Sequence, residues 1–116
     1  MGLKISGLLF YGPTPLEQVV VKKNHSPVVY AVVSRAGEAW NPIFRLLDVG
    51  YSGAEGLTLS QHPDVPKWQA ENDGVLQIYL LDLKRKDGDP ASRAQEIIAD
   101  FRVRFDPPRG TISLAG

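Results

Sequence analysis

A chain of 116 residues is long enough for one hydrophobic core and too short for two independent ones, so a single domain over 1–116 is expected. Its 13 basic and 13 acidic side chains cancel, which removes the overall positive field on which many nucleic-acid binders depend; the absence of cysteine excludes disulfides, thiolate metal sites and cysteine nucleophiles. With 43% hydrophobic residues, no apolar stretch near the roughly 20 residues of a membrane span and no secretory signal pattern, a soluble, cytoplasmic protein without membrane contact is expected.

Residues 3–11 read as a first strand stopped by Gly12-Pro13, and Thr14-Pro15-Leu16-Glu17 has the cap-then-proline opening of a short helical turn. Val19-Val20-Val21 is a second short extended piece. After a polar break, residues 28–33 (VVYAVV) are apolar on both faces, as in a central strand covered on two sides. Residues 34–42 form a polar connection, and residues 43–49 the next strand, close enough in sequence for antiparallel pairing. Ser52-Gly53-Ala54-Glu55 matches a capping box, which places the start of a short helix at Ser52 and its end before Pro63. A further turn begins at Asp64 with Trp68 as its anchor.

Asn72-Asp73-Gly74 turns the chain into residues 75–83, the longest strand signal. The run Lys84-Arg85-Lys86 meets Asp87 and Asp89 at once and reads as a solvated turn rather than a phosphate patch. Asp89 caps and Pro90 opens a helix whose apolar stripe is Ala94, Ile97, Ile98, Phe101 and Phe105, ended by Asp106-Pro107-Pro108. Residues 111–114 offer a last short strand. The order gives an α+β class, a small mainly antiparallel central sheet flanked by helices, with strand extensions at both ends.

Several chemistries are excluded. The glycines at 50, 53 and 56 lack the lysine of a phosphate-binding loop and the spacing of a dinucleotide fingerprint. Gly50-Tyr51-Ser52-Gly53 has the wrong spacing for a nucleophile elbow, and two histidines, His25 and His62, cannot build a histidine-rich metal site.

Residues 26–109 resemble the GIY-YIG nuclease domain family. Val28-Val29-Tyr30 is similar to its first motif, keeping the tyrosine, and Asp48-Val49-Gly50 to its second, keeping the glycine and replacing the tyrosine by Asp48. Leu59-Ser60-Gln61-His62 falls where the family carries, directly after an arginine, a leucine and three residues on a histidine, with Thr58 at the arginine position. Arg93-Ala94-Gln95-Glu96-Ile97-Ile98 is similar to the later helix that holds the family's metal-binding glutamate. The resemblance implies a role for Tyr30 at an attacking water, an accessory catalytic position for His62 and a divalent metal, magnesium or manganese, on Glu96, with Asp48 as a second carboxylate. It also implies DNA as substrate, while the missing arginine removes the clamp on the phosphate and points to lost or weak hydrolysis and a binding or scaffold role.

Each residue also has a structural reading. Glu96 can pair with Arg93, Asp100 and Arg104 along one helical face, Tyr30 can be a core tyrosine with its hydroxyl at the rim, and His62 can cap a helix end. Trp40 and Trp68 are either stacking surfaces for unpaired bases or core fillers. An active nuclease using Glu96, with Arg35 or Arg45 reaching in, and a protein-interaction module with an open N-terminal strand edge remain alternatives.

Overall fold

The computed structural model describes residues 2–83, 88–107 and 111–112. Strands β1 (Gly2–Ile5) and β2 (Leu8–Thr14) are followed by a 3₁₀ turn (Leu16–Gln18) and by β3 (Val20–Val21), β4 (Val28–Glu38) and β5 (Asn41–Ser52). Next come β6 (Leu57–Thr58), a second 3₁₀ turn (Leu59–Gln61), helix α1 (Val65–Glu71), β7 (Val75–Asp82), helix α2 (Pro90–Phe105) and β8 (Thr111–Ile112). Six strands form one curled antiparallel sheet in the order β1-β2-β7-β4-β5-β8, and β3 pairs with β6 as a separate ribbon. The chain is thus a small α+β domain. Among the described residues no helix is long and apolar enough to cross a membrane.

Strand β4 explains this layout. Six consecutive apolar residues, Val28 to Val33, are buried on alternate faces between β5 and β7, so both faces of the sheet need a cover. On the first face Val29, Ala31 and Val33 pack with Phe10, Leu46, Val49 and Tyr79 beneath Ala94, Ile97 and Phe101 of α2. The α2 stripe is the expected one, and Asp89 caps it by accepting from the Ser92 N–H at 3.3 Å. On the second face Tyr30, Val32, Leu47 and Ile78 pack under Leu16, Val19, Leu59 and Trp68.

Four expectations are corrected. Residues 3–11 are two strands, because Ser6 and Gly7 both take positive φ and make a two-residue hairpin turn. Gly12-Pro13 does not stop β2, whose register against β7 shifts between Tyr11 and Thr14, the kind of irregularity that accommodates a proline lacking N–H. Residues 34–42 are not a loop: pairing continues to Glu38 opposite Asn41, leaving a two-residue tip at Ala39 and Trp40. β4 and β5 are therefore longer than β7.

The helix expected at Ser52 is absent. Ser52 stays in the ladder opposite Val28 with its side chain buried, and Glu55 instead accepts from the Gly53 N–H at 3.2 Å. Gly56 has φ +79°, which no α-helix contains, and a Cβ there would lie 2.6 Å from the carbonyl oxygen of Val21. The backbone therefore drops against β3 and forms β6 instead of helix. The basic run Lys84-Arg85-Lys86, with Asp87, Pro108 and residues 113–114 of the expected last strand, lies outside the described residues.

The short helix α1 is fixed at its end by polar contacts. The buried Ser34 hydroxyl lies 2.8 Å from Asn72 Oδ1 and 2.6 Å from Asp73 Oδ1, one of which takes its single proton, and accepts from the Asp73 N–H at 3.2 Å. The Ser34 hydrogen bond, helped by Arg45 at 3.6 Å, holds the Asp73 carboxyl below its ordinary range. Arg45 also donates to the Glu71 carbonyl oxygen. Trp68, one turn earlier, is thereby set down on the sheet.

Candidate functional site

In an antiparallel pair, directly opposed residues share a face, so the β4–β5 register decides which sequence-selected side chains can meet. Tyr30 opposes Gly50 and Val32 opposes Asp48, which puts Tyr30 and Asp48 on the second face. The register slips between Val32 and Val33, leaving Leu47 as an extra residue on β5. Leu47 enters the core of that face beside Asp48.

Gly50 is required by this arrangement. A Cβ built there would stand 2.1 Å from Tyr30 Oη and 2.2 Å from Cζ, because the phenol ring lies across the Gly50 backbone. The glycine kept from the second motif thus serves as the floor under the tyrosine kept from the first.

Trp68 joins the remaining groups. Its indole is fully buried, and its Nε1–H donates to Asp48 Oδ2 at 2.9 Å while Asp48 Oδ1 accepts from the Val49 N–H at 2.8 Å. The His62 ring stacks on the indole at 4.8 Å and 28°, and the Tyr30 ring meets both edge-on at 6.3 Å. His62 Nδ1 accepts from the Asp64 N–H at 3.0 Å, just ahead of α1. A nitrogen that accepts carries no proton, so neutral His62 holds its proton on Nε2.

The electrostatics follow from burial. Desolvation, with Asp48 and then Asp64 adding repulsion and Arg102 opposing weakly, pushes the Tyr30 phenol up to about 12. Tyr30 therefore stays protonated at neutral pH and is poorly disposed to act as a base. The sign for stability is definite. Below about pH 10 both folded and unfolded states hold this proton; above it the unfolded chain ionises first, so stability falls as pH rises toward about 12. The expected loss is roughly 1–2 kcal/mol, allowing for solvent screening at the rim of the cluster. Urea unfolding on either side of that window checks it. Tyr30→Phe should remove this part of the slope, and an unchanged slope would contradict it.

The structure brings Tyr30, Asp48 and His62 together, and it does not bring Glu96 to them. Glu96 is exposed on α2, whose buried residues Ala94, Ile97 and Phe101 pack on the first face of the sheet. Asp48 and Glu96 thus belong to opposite sides. Among the described residues no group of three or more histidines and carboxylates is placed to hold a metal ion. Arg35 shares the first face with Phe44, while Arg45 is engaged at the end of α1. An open cleft of about 890 Å³, lined by His25, Pro27, Tyr51 and Pro90 among others, includes none of Tyr30, Asp48 and His62.

Sequence pattern alone does not reveal the bond between Trp68 and Asp48. Its signal is chemical: a carboxylate inside an apolar strand needs donors, and a buried indole N–H needs an acceptor. Comparison of the chain with family models, with curated proteins and with solved structures gives no match.

Proposed function

We propose that the chain is a divergent GIY-YIG-like domain with lost or weak nuclease chemistry, acting as a binding or scaffold module. One observation carries this reading: Asp48, at the position of the second tyrosine, spends its carboxylate on Trp68 and Val49. The adjacent pairing of the Tyr30 and Gly50 strands supports the relationship. His62 stacked on Trp68, the raised Tyr30 phenol and the distant Glu96 support the loss of hydrolysis. Absence of a phosphate clamp alone slows such a reaction about 100-fold or more.

The test is cleavage of a labelled branched DNA with magnesium or manganese, using the whole chain and Glu96→Ala. Equal background cleavage by both is expected. Metal-dependent cleavage abolished by Glu96→Ala would instead establish an active nuclease using that glutamate. A second reading, a protein-interaction module unrelated to nucleic acid, is favoured by the exposure of Tyr11 on β2, although Phe10 beside it is buried. DNA binding without cleavage supports the scaffold reading over this one, and gel-shift titration separates them.

A further inference from the structure

Trp68 is fully buried and Tyr30 nearly so, while His62, stacked on the one and edge-on to the other, is only half-buried. The imidazole is therefore the outer layer over both rings, open to protons from solvent. One polar contact fixes its place, the Asp64 N–H donated to Nδ1 at 3.0 Å. The backbone around it is held separately: the His62 N–H donates to the Leu59 carbonyl oxygen at 3.0 Å, and the Val65 N–H to the His62 carbonyl oxygen at 3.2 Å. The ring can thus leave its place without unravelling the turn that leads into α1.

The contact with Asp64 needs a nitrogen without a proton. An imidazolium donates from both nitrogens, so neither the present ring position nor its flipped one offers the Asp64 N–H an acceptor. The charged neighbours do not compensate. Asp48 of β5 has both carboxylate oxygens committed, to Trp68 and to Val49, and Tyr30 of β4 stays protonated at neutral and acid pH. Glu17 of the first 3₁₀ turn and Lys67 of α1 are exposed, Asp64 stands before α1, and Arg102 of α2 acts on Tyr30. Among the described residues no carboxylate pairs with His62 at ion-pair distance, so a proton gained by the ring meets no counter-ion in this arrangement.

We propose that His62 is a proton-operated lid, whose neutral ring closes over Trp68 and Tyr30 and whose protonated ring swings out and exposes them. Attraction of a cation to an indole face opposes release, but loss of the acceptor and desolvation of the charge against two buried rings outweigh it. Because the open form binds one proton more than the closed form, each pH unit below the titration of the ring favours opening about ten-fold. The open form presents an aromatic surface, indole beside phenol, that the neutral form hides. The lid rests on the geometry of the cluster alone and stands whether or not the domain is related to nucleases.

Acrylamide quenching of Trp68 fluorescence, from about pH 8 to about pH 5, tests it in the whole chain carrying Trp40→Phe. The chain has two tryptophans and Trp40 is exposed, so this change leaves the core intact and Trp68 as the single reporter. Quenching should rise several-fold as the pH falls, with a red shift of emission and the same midpoint as the His62 ring protons followed by NMR. His62→Gln keeps an oxygen that can accept from the Asp64 N–H and has no proton to gain, so Trp68 should stay protected at every pH. His62→Ala should leave Trp68 accessible at every pH. Quenching that stays flat while His62 titrates, a rise that persists in His62→Gln, or far-UV circular dichroism lost with the same midpoint each overturns the lid.

Discussion

Replacing Trp68 by alanine should lower the unfolding free energy by about 3–5 kcal/mol, the range for removing a fully buried large aromatic. Trp68 is the largest fully buried side chain in the domain and touches three of the sequence-selected groups: it donates to Asp48, stacks on His62 and meets Tyr30 edge-on. A small domain has only about 5–15 kcal/mol in total, so this variant should sit close to unfolding. Trp68→Phe separates the two contributions. It retains most of the volume but leaves Asp48 Oδ2 without its donor, a loss of about 1–3 kcal/mol. Urea unfolding followed by circular dichroism measures both. A cost below about 1 kcal/mol for the alanine variant would mean that α1 is not anchored through this indole.

Gly50→Ala should be nearly as damaging, for the opposite reason. The new Cβ would overlap the hydroxyl end of the Tyr30 ring, and a rigid phenol packed between Gly50, His62 and Trp68 has no small adjustment to make. The ring must leave the cluster. Overpacking of this sort costs about 1–3 kcal/mol, with loss of the burial of Tyr30 added to it. Two signatures identify the cause. The Tyr30 phenol should return from about 12 toward 10 as the ring reaches water, and Tyr30→Ala combined with Gly50→Ala should cost much less than the sum of the two singles. Additive costs with the phenol unmoved would show that the clash is absent.

What could be read from the sequence follows from how local its causes are. The α2 helix was legible because Asp89, Pro90 and the stripe from Ala94 to Phe105 all lie within one short segment and agree with one another. The adjacency of the β4 and β5 strands was legible from two apolar runs and a short connection. Trp68 reads as an anchor from sequence, but what it anchors does not, since Asp48 lies 20 residues away and reaches the indole beside the extra residue Leu47. A one-residue slip changes which side chains share a face, and nothing local announces it.

The misread segments have similar origins. Ser52 and Glu55 satisfy the capping-box pattern, yet burial of Ser52 against Val28 and the left-handed backbone of Gly56 outweigh a cap worth about 1 kcal/mol. The residues from Ser34 to Pro42 read as a loop because most of their pairing is hidden in a ribbon that leaves the main sheet. Position along the chain singles out Glu96, while helix packing puts it on the opposite side of the sheet from Tyr30, Asp48 and His62.

The most direct measurement is a manganese titration of the whole chain watched by NMR, since bound manganese broadens amide signals around it. If Tyr30, Asp48 and His62 form an internal cluster separate from Glu96, broadening should be weak and unsaturable, and any effect near Glu96 should be independent of any near Asp48. Saturable broadening that strikes Asp48, Tyr30 and Glu96 together, and vanishes in Glu96→Ala, would contradict that separation and restore a working metal site.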